Sequence, residues 1–204
     1  MGMKPSQYST TCLDVTGPPA PLEPVRRAPS LRRGSDCLMD AHQVIVTKRD
    51  TRQYRPDPVS EDDLTALAGA ARMAGSAKNG QVTRLVVVTD GDARHRLAAA
   101  GDFTGWIDAA PVVIVLAAPT EAIRMFDLGR MAQNLMLEAH DRGLATCPVT
   151  FQHQDRIREV LGLPHDHEGP MGVVVGHPGP PDADRQPAAR IPAAELVHRE
   201  RWLG

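Results

Sequence analysis

Helical and extended signals are interleaved along the chain without a strict strand–helix–strand repeat, which predicts an α+β domain. Three observations carry that expectation. Ser60-Glu61-Asp62-Asp63 is a capping box, a hydroxyl N-cap with an acid three residues on, and Leu64, Leu67, Ala68 and Ala71 follow at helical spacing. Three short apolar runs, Leu85–Val88, Pro111–Ala117 and Met171–Gly176, read as buried strands. A long apolar segment, Phe126–Arg142, reads as a helix that Gly143 stops at the C′ position.

Taken in order, the first 38 residues hold six of the eighteen prolines, carry a net charge of +2 and show no periodic apolar stretch. Such a segment buries too little apolar surface to offset its ordering entropy, so it is expected to be a disordered extension. A basic docking arm on its Arg pairs, or a true start at Met39, are the other readings. Residues 39–204, with a net charge of −4, form the one folded domain. The helix capped by Ser60 ends near Ala74-Gly75. Asp92–Ala100 is a second helix. Phe126–Arg142 is apolar round most of its circumference (Leu128, Met131, Ala132, Leu135, Met136, Ala139), as expected of a central helix. Thr146–Thr150 is a strand or extended turn, Gln154–Leu161 a short helix, and Ala193–Val197 a helical patch in a Pro-rich end.

Composition excludes several classes. No window of the 204 residues approaches the ~20 apolar residues of a membrane-spanning helix. A net charge of −2 and 3% aromatic residues argue against a nucleic-acid binder. Cys12, Cys37 and Cys147 are too few and scattered for a disulfide framework or zinc site, and no signal peptide precedes them, so a reducing, cytoplasmic setting is expected.

Several familiar sites are missing: there is no G-x-G-x-x-G, no Walker phosphate loop and no G-x-S-x-G elbow. His165-Asp166-His167-Glu168 offers alternating metal ligands but reads as a solvated loop, and Cys147 as a buried small apolar residue. Three features converge on an anionic, planar ligand. Lys48-Arg49-Asp50-Thr51-Arg52 places three cations within five residues, suited to a phosphate. Ser76–Gln81 is a polar loop whose amides can read the edge of a heterocycle. Arg190 stands isolated among Pro and Ala.

The order of these pieces resembles the nitroreductase family of FMN-dependent oxidoreductases. Thr47–Val59 is similar to the family's opening R-R-S-x-R-x-[FY] and the helix entry after it, and Ser76–Gln81 to its S-x-x-N-x-Q loop. Asp127–Leu135 is similar to the central-helix pattern D-x-G-x-x-x-Q-N-L, and Gly143–Pro148 to the G-L-G-T-x-P turn. Val160–Pro164, Val173–Pro178 and Arg190-Ile191-Pro192 complete the order, so the likeness covers nearly the whole chain from Met39. Asp50 stands where the family usually has a small hydroxyl residue, a pattern reminiscent of a flavin-consuming branch. Gln81-Val82-Thr83 replaces Q-P-W, and Ala188-Ala189 precedes Arg190 where relatives often carry a second basic residue.

The resemblance implies a central, mainly antiparallel sheet flanked by helices, with FMN at the interface of a homodimer. Lys48, Arg49, Arg52 and Arg190 would hold the phosphate and the N1–C2 edge of the ring, with Asp50 in the same motif. Asn79 and Gln81 would touch the ring edge or ribityl chain. Pro148-Val149-Thr150 would run along the ring, with the Thr150 backbone N–H near N5. No protein acid or base is implied, because the flavin carries the chemistry. Hydride would pass from NADH or NADPH to a nitroaromatic, quinone-like or other small organic acceptor in ping-pong turnover. A flavin carrier without turnover, or a substrate dehydrogenase reoxidised by oxygen, are the alternatives.

Overall fold

The computed structural model describes residues 40–180 and 189–202. The extension expected at residues 1–38 lies outside the described residues.

The apolar runs pair into one four-stranded antiparallel sheet in the order β1-β2-β4-β3: β1 (Arg84–Val88), β2 (Val112–Pro119), β3 (Ala145–Thr150) and β4 (His167–Gly176). Side chains alternate across a strand, and here both faces are covered. Val112, Ile114 and Leu116 of β2, with Val173 and Val175 of β4, pack against Leu64, Leu67 and Ala71 of α2 (Glu61–Arg72). They also meet Leu128, Ala132 and Leu135 of α4 (Met125–Asp141). Val113, Val115 and Val174 point the other way, toward Leu97 of α3 (Gly91–Ala98) and Ile157 of α5 (Gln154–Leu161). This two-sided burial is why β2 reads as an unbroken apolar run instead of an alternating one. The fold is α+β, with the sheet between two helical layers.

The expected caps form. Ser60 Oγ accepts from Asp63 N–H at 3.1 Å, and the C-terminal end of α4 turns at Gly143 with φ +73. Three expectations need correction. α4 is not apolar all round: Leu128, Ala132, Leu135, Met136 and Ala139 make one buried stripe, while Phe126 and Arg130 face outward. The His165–Glu168 stretch is only half a loop, because His167 and Glu168 open β4 and pair with Pro119 and Ala118 across a register shift. There Arg158 Nε donates to the His167 carbonyl at 3.0 Å, and its guanidinium lies 3.8 Å from the Glu168 carboxylate. A seven-residue helix not expected from the sequence, α1 (Ala41–Thr47), precedes the cation cluster, capped by the Asp40 carboxylate accepting from Gln43 N–H at 2.9 Å. The last helix, α6 (Ala193–Leu196), is short and exposed. Among the described residues no helix is long and apolar enough to cross a membrane.

Candidate functional site

β3 is an edge strand, so its free side accepts another segment, and the cation cluster occupies it. Asp50 bridges Thr146 in parallel register and Thr51 N–H donates to the Thr146 carbonyl at 3.1 Å. Further on, Arg55 N–H donates to the His177 carbonyl at 3.0 Å, and Tyr54 bridges Pro178. The chain after α1 is thereby fixed along the sheet edge.

The cations then diverge. Lys48 reaches over the α4 side: its ammonium pairs with the Asp50 carboxylate and lies 3.4 Å from Met136 Sδ. Arg49 folds back on the end of α1, its Nη1 donating to the Val46 and Lys48 carbonyls, each at 2.8 Å. Arg52 instead stacks over the Trp106 ring at 4.7 Å, and Trp106 packs against the core on the α3–α5 side. Lys48 and Arg52 therefore straddle the strand. Arg190 is exposed on the segment just ahead of α6.

Along β3 the alternation sorts the remaining residues. Cys147 and Val149 are buried, with Val149 in the α3–α5 core, so only its backbone is open to a ligand. Pro148 and Thr150 take the opposite face, half-buried and exposed in turn. Proline suits this position because an edge strand has a side on which no ladder donor is needed. Burial pushes the Cys147 thiol up, and the Asp50 carboxylate adds to this while a hydrogen bond with Arg52 opposes it. The Tyr54 phenol is raised well above its ordinary value, first by burial and then by Cys147 and Asp50. Both groups remain neutral, and neither is a base at neutral pH.

The Ser76–Gln81 loop is strained. Lys78, Asn79 and Gln81 have φ of 52, 54 and 48, the left-handed region, which costs Lys78 and Gln81 roughly 1–2 kcal/mol each and Asn79 less, because asparagine adopts it readily. Such strain persists only where surrounding bonds over-determine it, and they do. Ala77 N–H donates to Asp127 Oδ2 at 2.8 Å, Gln81 N–H to Ser76 Oγ at 3.0 Å, and Asn79 N–H to the Ser76 carbonyl at 2.9 Å. Arg130 Nη1 donates to the Gly75 carbonyl at 2.8 Å and Arg84 Nη1 to the Gln81 carbonyl at 2.7 Å. The Gln81 side chain donates to Asn79 Oδ1 at 3.1 Å, so the two amides form one polar unit.

One helix holds both halves. The N-terminal part of α4 clamps the amide loop through Asp127 and Arg130, and its C-terminal half meets Lys48 at Met136. Nine residues at 1.5 Å each separate Asp127 from Met136, about 14 Å along the axis. The sequence reading missed Trp106 as the seat of Arg52 and Met136 as the neighbour of Lys48. Trp106 is one of only two tryptophans, but nothing local to it points to a residue more than fifty positions away.

Known proteins are similar to this chain over most of its length. The sequence pattern of the nitroreductase family matches residues 45–101 and 103–177. An NADH dehydrogenase of Thermus thermophilus is 29% identical, over 78% of this chain and 96% of that protein. An NADPH-flavin oxidoreductase of Vibrio harveyi is 25% identical, over 78% and 73% of the two chains. Among solved structures, nitroreductase A of Vibrio parahaemolyticus superposes with a TM-score of 0.71 at 26% identity, covering 80% of this chain and 77% of that one. The NADPH:FMN oxidoreductase of Vibrio harveyi, solved with NAD+, has the same TM-score of 0.71 at 25% identity, over 80% and 78%. The fold, the edge-strand cation cluster and the clamped amide loop thus belong to a chain that is a member of the nitroreductase family.

Proposed function

We propose that the domain of residues 39–204 is an FMN-dependent oxidoreductase that takes hydride from NADH or NADPH and delivers it to a small organic acceptor, working as a homodimer. The observation that carries this reading is a strained amide loop and a cation-bearing sheet edge that touch the same helix, the loop at Asp127 and Lys48 at Met136, about 14 Å apart along its axis. A flavin mononucleotide is long enough to join a phosphate at one end of that span to a polar ring edge at the other. The relatives point the same way, being named for NADH, NADPH, flavin and FMN chemistry.

The donor set suits the cofactor. Arg49 lies exposed at the α1 end and is free to exchange its backbone acceptors for a phosphate, with the exposed Arg190 as a second donor; Lys48 belongs to the same run, its ammonium already paired with Asp50. Asn79 and Gln81 supply amide donors and acceptors for the ring or ribityl chain, in a conformation fixed before any ligand arrives. Pro148 and Thr150 present the edge of β3, with the Thr150 N–H as the donor for N5. The chemistry a bound flavin supplies is two-electron transfer at N5, and the protein's part is binding, orientation and electrostatics. Cys147 and Tyr54, both held neutral, do not act as bases in that wall.

The homodimer is supported by apolar side chains left outside the two cores. Ile45 and Val46 on α1, Phe126 on α4, and Leu196, Val197 and Trp202 near the C-terminal end are exposed. Burial in a second copy would remove them from water.

The test is the visible absorption spectrum of the purified protein, with added FMN where needed. It is followed by identification of the flavin released on denaturation, and by anaerobic addition of NADH or NADPH. Bound FMN that bleaches within the mixing time is the expected result. No flavin bound after FMN addition, or bound flavin indifferent to both nucleotides, overturns the reading.

A further inference from the structure

The cation cluster carries its own counter-ion. The Lys48 side chain is 10% exposed and ion-paired with Asp50, whose side chain is 43% exposed. An ammonium has three donors. One goes to the Asp50 carboxylate and another is directed at Met136 Sδ, so most of the capacity of Lys48 is committed within the protein. A phosphate approaching this group competes with a carboxylate already in place and is repelled by it. The field of Asp50 also reaches across the edge of β3, where it helps to raise both the Cys147 thiol and the Tyr54 phenol. The carboxylate is therefore part of the same electrostatic unit as Lys48 and Arg52.

We propose that Asp50 sets the phosphate affinity of the site: it withdraws Lys48 from phosphate recognition, so FMN is held about tenfold less tightly than the cations alone would hold it. This rests on the flavin reading given above. The magnitude follows from the chemistry. A hydrogen bond to a charged group corresponds to about one to two decades of affinity, and the partial exposure of Asp50 places the effect at the lower end through solvent and salt screening. The role is selective, because it acts on the phosphate and leaves the uncharged ring alone.

The experiment titrates FMN and riboflavin, which lacks the phosphate, into the unmodified full-length protein, Asp50→Asn, and the double variant Lys48→Gln/Asp50→Asn. Thermal melting of each protein reports folding. Asp50→Asn keeps the shape of the side chain and removes its charge. It is expected to bind FMN about tenfold more tightly with riboflavin unchanged, and the added Lys48→Gln is expected to abolish the gain. Three results overturn the proposal: FMN affinity that does not rise in Asp50→Asn, riboflavin affinity that rises in parallel, or a gain that survives Lys48→Gln. If none of the folded proteins binds either flavin, the flavin reading itself falls, a result distinct from these three.

Discussion

Replacing Lys78 with glycine tests whether the amide loop stores strain. Lys78 sits at φ 52, ψ 23, a conformation that costs a residue with a Cβ roughly 1–2 kcal/mol and costs glycine nothing. Against this gain, glycine loses more conformational entropy on folding, about 0.5–1 kcal/mol relative to alanine. Lys78 is exposed, and the clamps on the loop run through Asp127, Ser76, Arg130 and Arg84, so the substitution removes none of them. The net expectation for Lys78→Gly is therefore a stabilisation of about 0.5–1 kcal/mol, or roughly 1–4 °C in Tm for a domain of this size. Differential scanning calorimetry beside Lys78→Ala separates strain relief from loss of the lysine side chain, because alanine keeps the Cβ. A glycine variant that melts at or below the alanine variant refutes the reasoning, since the left-handed backbone would then carry no cost.

Arg49→Ala is expected to weaken FMN binding about tenfold, with riboflavin unaffected, and Arg190→Ala to do the same, each removing one charge-assisted bond to the phosphate; fluorescence titration reads both. Gly172→Ala would place a Cβ 2.9 Å from the Ile114 carbonyl oxygen and 3.2 Å from the Phe151 ring, so a loss of about 1–3 kcal/mol is expected in urea unfolding. Gly69→Ala, inside α2 with nothing within 4 Å of the new Cβ, is expected to gain about 0.5–1 kcal/mol in the same assay. His140 has its pKa lowered below 6.5, first by burial and then by Lys48. The unfolded chain therefore binds this proton more readily than the folded one. Stability from this group is full above about pH 7 and falls as pH drops through 6.5 toward the lowered value. His140→Asn should flatten that part of the denaturation midpoint plotted against pH.

The parts of the fold that sequence reading recovers are those whose burial is one-dimensional along the chain. β2 is apolar at every position from Val112 to Ala118 because both faces are covered. α4 is found to within a residue at each end because Gly143 supplies the left-handed stop. α1 is hidden for the opposite reason: its Val44-Ile45-Val46 run is β-branched, only Val44 is buried, and seven residues are too few for a helix to persist without a cap and a tertiary contact. The start of β4 is hidden by Gly169-Pro170, which reads as a break, whereas Gly169 is needed for close packing: a Cβ there would meet Val115 Cγ1 at 2.7 Å. In the site, the cations and amides were readable from local runs, whereas Pro148-Val149-Thr150, in β3, came only from the resemblance. The orientation of these residues was not readable. That Arg52 leaves the cluster for Trp106, and that Val149 turns into the core, follow from the strand alternation and from contacts across the fold.

The division between rigid and strained parts explains how one small domain can hold a demanding ligand geometry. The stripe Leu128, Ala132, Leu135, Met136 and Ala139 fixes α4 against the sheet and α2; the amide loop is fastened to that helix, and Lys48 of the basic segment touches it. Positions on a packed helix are more exact than positions on a loop, so the loop borrows its precision through Asp127 and Arg130, and the basic segment borrows its own from the edge of β3. The left-handed residues at 78, 79 and 81 store strain in a loop whose Asn79 and Gln81 side chains are exposed. Asp50 plays the complementary part at the other end. It neutralises a largely buried ammonium that would otherwise stand desolvated with no carboxylate beside it. The same carboxylate that protects the fold from Lys48 is the one that opposes a phosphate there, so stability without ligand and affinity for ligand pull against each other at a single pair.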